Sequence, residues 1–140
     1  MPYCTQADIE NKRVPQETLV NLTDDDGLGV VDTEIVAAAI DDADALIDSY
    51  LETRYPLPLA TVPVLLGRLS ADIASFYLYG RRPEFETPKR IESGHSAALR
   101  LLEKIQNGQV SLGAQVAPPT SGPSYTTSGR IFTRDTLKDM

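Results

Sequence analysis

An all-α fold is predicted: a small bundle of three main helices, with short N-terminal helices before it and a long extended tail after it. Three observations predict it. Apolar residues recur at steps of three and four in three separate segments. Pro, Gly and Asp punctuate the boundaries between those segments. From Gly113 to Gly129, twelve of seventeen residues are Gly, Pro, Ser or Thr, a run that cannot pack a core.

Thr5 is placed to cap a short helix over Gln6–Lys12. Pro15 suits the first turn of a second, Gln16–Leu22, which Thr23-Asp24-Asp25-Asp26-Gly27 ends. The strongest helical pattern runs from about Asp32 to Arg54, with Asp32 or Thr33 as its cap. Val36, Ile40, Ala43, Ile47 and Tyr50 step by four, three, four and three, while Ile35, Ala39, Leu46 and Leu51 widen the stripe. Asp41, Asp42, Asp44 and Asp48 fall on the other face. Pro56 and Pro58 stop the helix, leaving Tyr55–Thr61 as an extended connector.

A third main helix runs from about Pro63 to Tyr79, with Leu65, Leu66, Leu69, Ile73, Phe76 and Tyr77 as its buried side. The last opens at Thr87-Pro88, Thr87 as N-cap and Pro88 at the first position. Its stripe is Ile91, Ala98, Leu99, Leu102 and Ile105, and Gly108 is its stop. Gln109–Leu112 fits either a short strand or an extended exit. The division that follows is a helical domain over 1–112, a linker over 113–129 and a terminal segment over 130–140.

The chain has 140 residues, enough for one core. Its net charge of −7 argues against a nucleic-acid binder that works by neutralising phosphates. No apolar run is long enough to span a bilayer. Residues 1–8 lack the basic and apolar regions of a signal peptide, and one cysteine, Cys4, cannot make an internal disulfide, so a reducing cytoplasm is expected. The charge is unevenly spread. Residues 1–52 hold thirteen Asp/Glu and two Lys/Arg, a net of −11; residues 53–140 hold seven and eleven, a net of +4. Two readings stand: ordinary solvated helix faces, or head-to-tail association in which acidic and basic halves meet, a heterologous contact of the kind that closes rings.

No catalytic, cofactor or metal site can be assembled from these residues. Asp24-Asp25-Asp26-Gly27-Leu28-Gly29 invites a calcium loop, but aligning Gly29 on the turn glycine puts Leu28 at the fifth ligand position and Ile35 at the twelfth. Aligning Gly27 puts Leu22 first and Thr33 last. A polar turn beside a helix N-terminus is the better reading. Gly27-Leu28-Gly29 lacks the third glycine and the preceding strand of a dinucleotide fingerprint. His95, the single histidine, lies within a helical pattern, and one His with one Cys makes neither a dyad nor a zinc site. A non-enzymatic protein without cofactors is expected. Arg81-Arg82 with Lys89-Arg90 is a small basic cluster: a solvated helix junction or, of the functional readings, a contact with a carboxylate-rich protein in preference to nucleic acid.

The tail carries the strongest functional signal. Seventeen extended residues span at most about 55–60 Å. Beyond them, apolar and charged residues return in Arg130-Ile131-Phe132-Thr133-Arg134-Asp135-Thr136-Leu137. That segment suits docking on a protein partner, either as an added strand or as a helical turn. Its docking residues would be Arg130, Ile131, Phe132, Thr133, Arg134 and Leu137.

Several stretches, taken in order, resemble the Mu-like phage head–tail connector (adaptor) family. They are Met1-Pro2-Tyr3-Cys4-Thr5-Gln6-Ala7-Asp8-Ile9; Leu22-Thr23-Asp24 with the Asp-Gly turn; Ala43-Asp44-Ala45-Leu46-Ile47-Asp48 with Tyr50-Leu51; and Arg54-Tyr55-Pro56-Leu57-Pro58-Leu59. They continue with Ala71-Asp72-Ile73-Ala74, Tyr77-Leu78-Tyr79, Gly108 with Val110-Ser111-Leu112-Gly113, and Phe132-Thr133-Arg134-Asp135-Thr136-Leu137. The resemblance covers nearly the whole chain. It implies a structural protein of the virion neck, assembled in the host cytoplasm as a ring, usually twelvefold, beneath the portal. It also implies contacts with the portal protein and a stopper or tail-completion protein, DNA passing through the channel, no membrane, and a C-terminal segment docked on the portal.

Within that picture Asp41, Asp44, Asp48, Arg81, Arg82 and Arg90 are candidates for inter-subunit or channel-facing charges. An acidic wall would let DNA slide rather than stick. The alternative is a regulatory, antitoxin-like binding module whose tail folds on a protein partner.

Overall fold

The computed structural model describes residues 2–113. They form five helices: α1 (Gln6–Ile9), α2 (Gln16–Thr23), α3 (Thr33–Leu51), α4 (Val64–Gly80) and α5 (Lys89–Gln106). The three long helices run up, down and up, and the all-α fold with three main helices is the one the sequence predicts. No strand forms at residues 109–112. The linker beyond Gly113 and the segment 130–140 lie outside the described residues.

Each boundary has a local cause. Asp8 accepts from the Thr5 backbone amide at 2.9 Å and opens α1. The helix stops at Ile9 rather than Lys12 because Asn11 takes a left-handed conformation, φ 61°. The chain then turns tightly, with Val14 donating to Ile9 at 3.1 Å. Of the two expected caps, Asp32 serves: its carboxylate accepts from the Glu34 and Ile35 amides, and Thr33 is the first helical residue. Leu51 ends α3, and Tyr55 buries itself after it. The α5 cap differs from expectation: Pro88, not Thr87, is the N-cap, and Lys89 is the first helical residue. Pro88 is extended, ψ 141°, so its carbonyl starts the helix while Thr87 stays one position outside. Gly108 ends α5 with φ 82°. A Cβ there would also collide with the Arg54 guanidinium, which donates to the Ile105 carbonyl at 3.3 Å and so serves the negative end of α5.

The core gathers Val36, Ala39, Ile40, Ala43, Ile47 and Leu51 from α3 and Ile91, Ala98, Leu102 and Ile105 from α5, all around α4. That helix touches α1, α2, α3 and α5. It is therefore buried on most sides, at Leu66, Leu69, Ser70, Ala71, Ile73, Ala74, Ser75, Leu78 and Tyr79. The predicted stripe captured Leu66, Leu69 and Ile73 but misplaced its aromatic end. Phe76 and Tyr77 are only partly buried, and Leu78 and Tyr79 take the core positions. Buried Ser75 sends its hydroxyl to the Ala71 carbonyl at 2.7 Å, so it occupies the core without an unmet polar group.

The residues before α1 lie across α4 at Gly67. A Cβ on Gly67 would meet the Tyr3 carbonyl oxygen at 2.9 Å. Gly94, in the middle of α5, has only ordinary contacts, the nearest being Asp72 at 3.8 Å. The two glycines therefore give opposite expectations. Gly94→Ala should stabilise the chain by about 0.5–1 kcal/mol through helix propensity. Gly67→Ala should reverse that gain and destabilise, since overpacking costs roughly 1–3 kcal/mol. Urea midpoints of the two variants against the parent chain check this.

Candidate functional site

The acidic face of α3 divides in two. Asp41 and Asp42 are exposed, as their positions predict. Asp44 and Asp48, expected on the same solvated face, turn inward to hold the N-terminal arm. The Tyr3 amide donates to Asp44 at 2.9 Å and the Ser70 hydroxyl donates to Asp44 at 2.5 Å. The Tyr3 hydroxyl donates to Asp48. Cys4 is buried beside this network, its sulfur 3.2 Å from Ser70 Oγ.

Burial pushes the Tyr3 hydroxyl pKa up, and the hydrogen bond to Asp48 and the Asp48 and Asp44 charges push the same way. Burial also raises Cys4, which keeps it a thiol, and raises Asp44 despite its two donors. These groups fasten an arm to a helix pair.

The three arginines of the basic cluster are likewise engaged within the chain. Arg81 donates to the Leu22 carbonyl at 2.6 Å and to Asp25 at 2.8 Å. Arg82 donates to Asp25 at 2.6 Å and to the Asp24 carbonyl at 3.3 Å. The end of α4 thus clasps the loop between α2 and α3. Arg90 donates to the Arg13 carbonyl at 2.7 Å, and Arg13 pairs with Asp72 at 2.7 Å, tying the α1–α2 turn to α4 and α5.

The Asp-Gly loop needs no cation to hold its shape. Asp24 accepts from the amides of Gly29 at 2.7 Å and Leu28 at 2.9 Å, and those bonds lower its pKa. Gly27 and Gly29 both have positive φ, near 74° and 73°, which the loop's path requires. Among the described residues no group of three or more His, Cys, Asp or Glu converges as a metal site. His95 stacks on Phe76 with ring centroids 3.9 Å apart, and burial lowers its pKa.

An open cleft of about 1050 Å³ lies at the other end of the α3–α4 pair. The N-terminal arm, the proline-rich connector and the start of α4 line it, with Tyr3, Asp48, Leu59, Val62, Gly67 and Arg68 among its walls. A smaller groove of about 410 Å³ adjoins the connector at Leu112 and Gly113, where the chain leaves the bundle. Tyr55 fixes that exit, its hydroxyl accepting from the Leu112 amide at 3.1 Å.

Clasped loops and open surfaces thus surround a helical body. The family model described as Bacteriophage Mu, Gp36 matches residues 3–128. The chain belongs to this phage Mu Gp36 family. A relative named Mu-like prophage FluMu protein gp36, from Haemophilus influenzae, is 34% identical over 112 residues, covering 77% of each chain. Gene product J of Escherichia phage Mu is 34% identical over 87 residues, covering 62% of this chain and 59% of that protein. No helix among the described residues is long and apolar enough to cross a membrane.

Of the residues singled out from sequence, Asp44 and Asp48 meet at the arm, and Arg81 and Arg82 meet at Asp25. Asp41 and Arg90 stand apart from both sites. Arg130, Ile131, Phe132, Thr133, Arg134 and Leu137 lie outside the described residues. Sequence reasoning missed Tyr3, Ser70 and Asp25 as partners, because they are far along the chain from the groups they hold. It also passed over Leu28 and Val30, whose signal was present: two large apolar residues in a turn otherwise built of Asp and Gly.

Two carboxylates give stability terms of opposite sign. The Arg81 hydrogen bond foremost, then Arg82, lowers the Asp25 pKa. Its contribution is present above the unfolded value of about 3.9 and is lost as pH falls through the lowered folded value. Asp44 has a raised folded pKa, so its contribution is present below about 3.9 and is lost as pH rises through the folded value. Asp25→Asn should therefore lower the urea midpoint at pH 7, with the gap to the parent chain closing in acid. Asp44→Asn should gain on the parent chain as pH rises from 3 to 7. Midpoints measured across that range check both directions.

Proposed function

We propose that this chain is a head–tail connector of a Mu-like phage particle, a structural protein of the neck with no catalytic role. In this reading it forms a ring beneath the portal, joins the DNA-filled capsid to the tail and lets DNA pass. Membership of the phage Mu Gp36 family across residues 3–128 carries the reading. The ordered resemblance to connector proteins supplies its finer detail, and the molecule's physical chemistry is compatible with it. Half-buried Asp44 and Asp48 fasten its own arm, and the pairing of Arg81 and Arg82 with Asp25 fastens its own loop, which suits a scaffold. Its exposed acidic residues on α3, Asp41 and Asp42, would repel phosphate if they faced a DNA channel.

The body and the tail have separate tasks in this proposal. The helical body makes contacts between copies and supplies the ring. The Gly-, Pro-, Ser- and Thr-rich run carries Ile131, Phe132 and Leu137 away from the bundle to dock on the portal protein. Ordering such a segment costs entropy that only docking offsets, so the tether engages during assembly. A stopper or tail-completion protein would bind the opposite side of the ring.

Removing residues 130–140 should leave the thermal unfolding of the body unchanged and abolish capture on immobilised portal protein. Equal capture of the shortened and full-length chains would overturn the tail's role. A tight one-to-one complex with a small basic enzyme, without any ring, would favour the antitoxin-like alternative instead.

A further inference from the structure

The four large apolar side chains exposed among the described residues fall at the two ends of the α3–α4 pair. Leu28 is 72% exposed and Val30 59% exposed, both on the loop that precedes α3. Phe85, 37% exposed, follows α4 at the same end, beside the Arg82 that grips this loop. Val64, 82% exposed, stands at the opposite end, on the rim of the cleft formed by the connector and the arm. The 19 residues of α3 separate the two ends by about 28 Å.

The loop is built to hold its apolar tip outward. Asp24 bonds two of its amides, Thr23 Oγ1 accepts from the Asp32 amide at 3.1 Å, and Arg81 and Arg82 grip its base. A segment so fully bonded loses little further entropy on contact. Charge also differs between the ends. The loop and the α3 start, residues 24–34, hold Asp24, Asp25, Asp26, Asp32 and Glu34 and no Lys or Arg. The cleft's charged walls are Lys12, Arg13 and Arg68 against Asp8 and Asp48. Among the described residues neither Asp26 nor Arg68 has an ion-pair partner.

We infer that the Asp24–Val31 loop of one copy seats in the arm–connector cleft of the next. Leu28 and Val30 lie against Leu59, Val62 and Val64, and Asp26 faces Arg68. The contact joins two different surfaces, so it repeats head to tail and closes when the rotation allows. It rests on the ring-forming reading above and gives that ring its subunit contact.

Full-length Leu28→Cys and Val64→Cys chains, treated with a short bismaleimide, test it. Cys4 is only 2% exposed and so reacts little, and about 28 Å keeps the two introduced positions from joining within one copy. The mixture should give a cross-linked dimer that neither variant gives alone, and Arg68→Asp in the Val64→Cys chain should reduce its yield several-fold. Cross-linking of either variant with itself would indicate a two-fold contact and overturn the inference. Absence of cross-links under conditions where native mass measurement shows the chain assembled would overturn this contact while leaving the ring standing. A chain that stays monomeric at high concentration and on the portal protein would remove the ring reading and this contact together.

Discussion

How closely α4 can be approached sets the rest of this structure. A helix that meets four neighbours needs small residues where they come nearest, and α4 has Gly67, Ser70, Ala71, Ala74 and Ser75 along its length. Gly67 lets the Tyr3 carbonyl rest on its backbone. Ser70 is short enough to be buried and polar enough to reach Asp44. The Ala and Ser positions let α3 and α5 pack on either side, while Leu66, Leu69, Ile73 and Leu78 supply the apolar surface whose burial drives folding.

With its centre filled, the bundle places its irregular segments at two ends. At one, the Arg81–Arg82 clasp holds the Asp-Gly loop; at the other, the N-terminal arm and proline-rich connector frame a cleft. Polar groups at both ends are spent on holding backbone in place. Asp24 bonds loop amides, Arg54 serves the end of α5, and Tyr55 anchors the exit at Leu112. The fold thus leaves rigid, partly apolar ends on a charged body, a form suited to repeating contacts between copies.

The helices were legible in the sequence because burial on one side leaves a stripe at steps of three and four, as along Val36, Ile40, Ala43 and Ile47. A cap at Asp32 or Thr33 was legible, because a short acceptor before an apolar repeat has few other uses, and the structure uses Asp32. Burial on several sides, or by a distant partner, leaves no such stripe. On α4, surrounded by neighbours, no single stripe exists, and Phe76 and Tyr77 could not be told from Leu78 and Tyr79. Asp44 and Asp48 sit four apart like solvated carboxylates, and only Tyr3, more than forty residues away, turns them inward. The pairing of Asp25 with Arg81 and Arg82 is equally long-range, and pattern within a helix does not encode it. For function, composition limited the choices and the ordered resemblance named one. The family match supports its coarser part, a phage protein of the Mu Gp36 family.

The central claim is that the helical body builds a ring while the tail fastens it to the portal. Particle imaging of the full-length chain mixed with the portal protein of the same phage tests it most directly. The account predicts a closed ring of copies on one face of the portal, with loop-to-cleft contacts between neighbours and segment 130–140 lying against portal density. Single copies bound separately on the portal, or no binding at all, would contradict it.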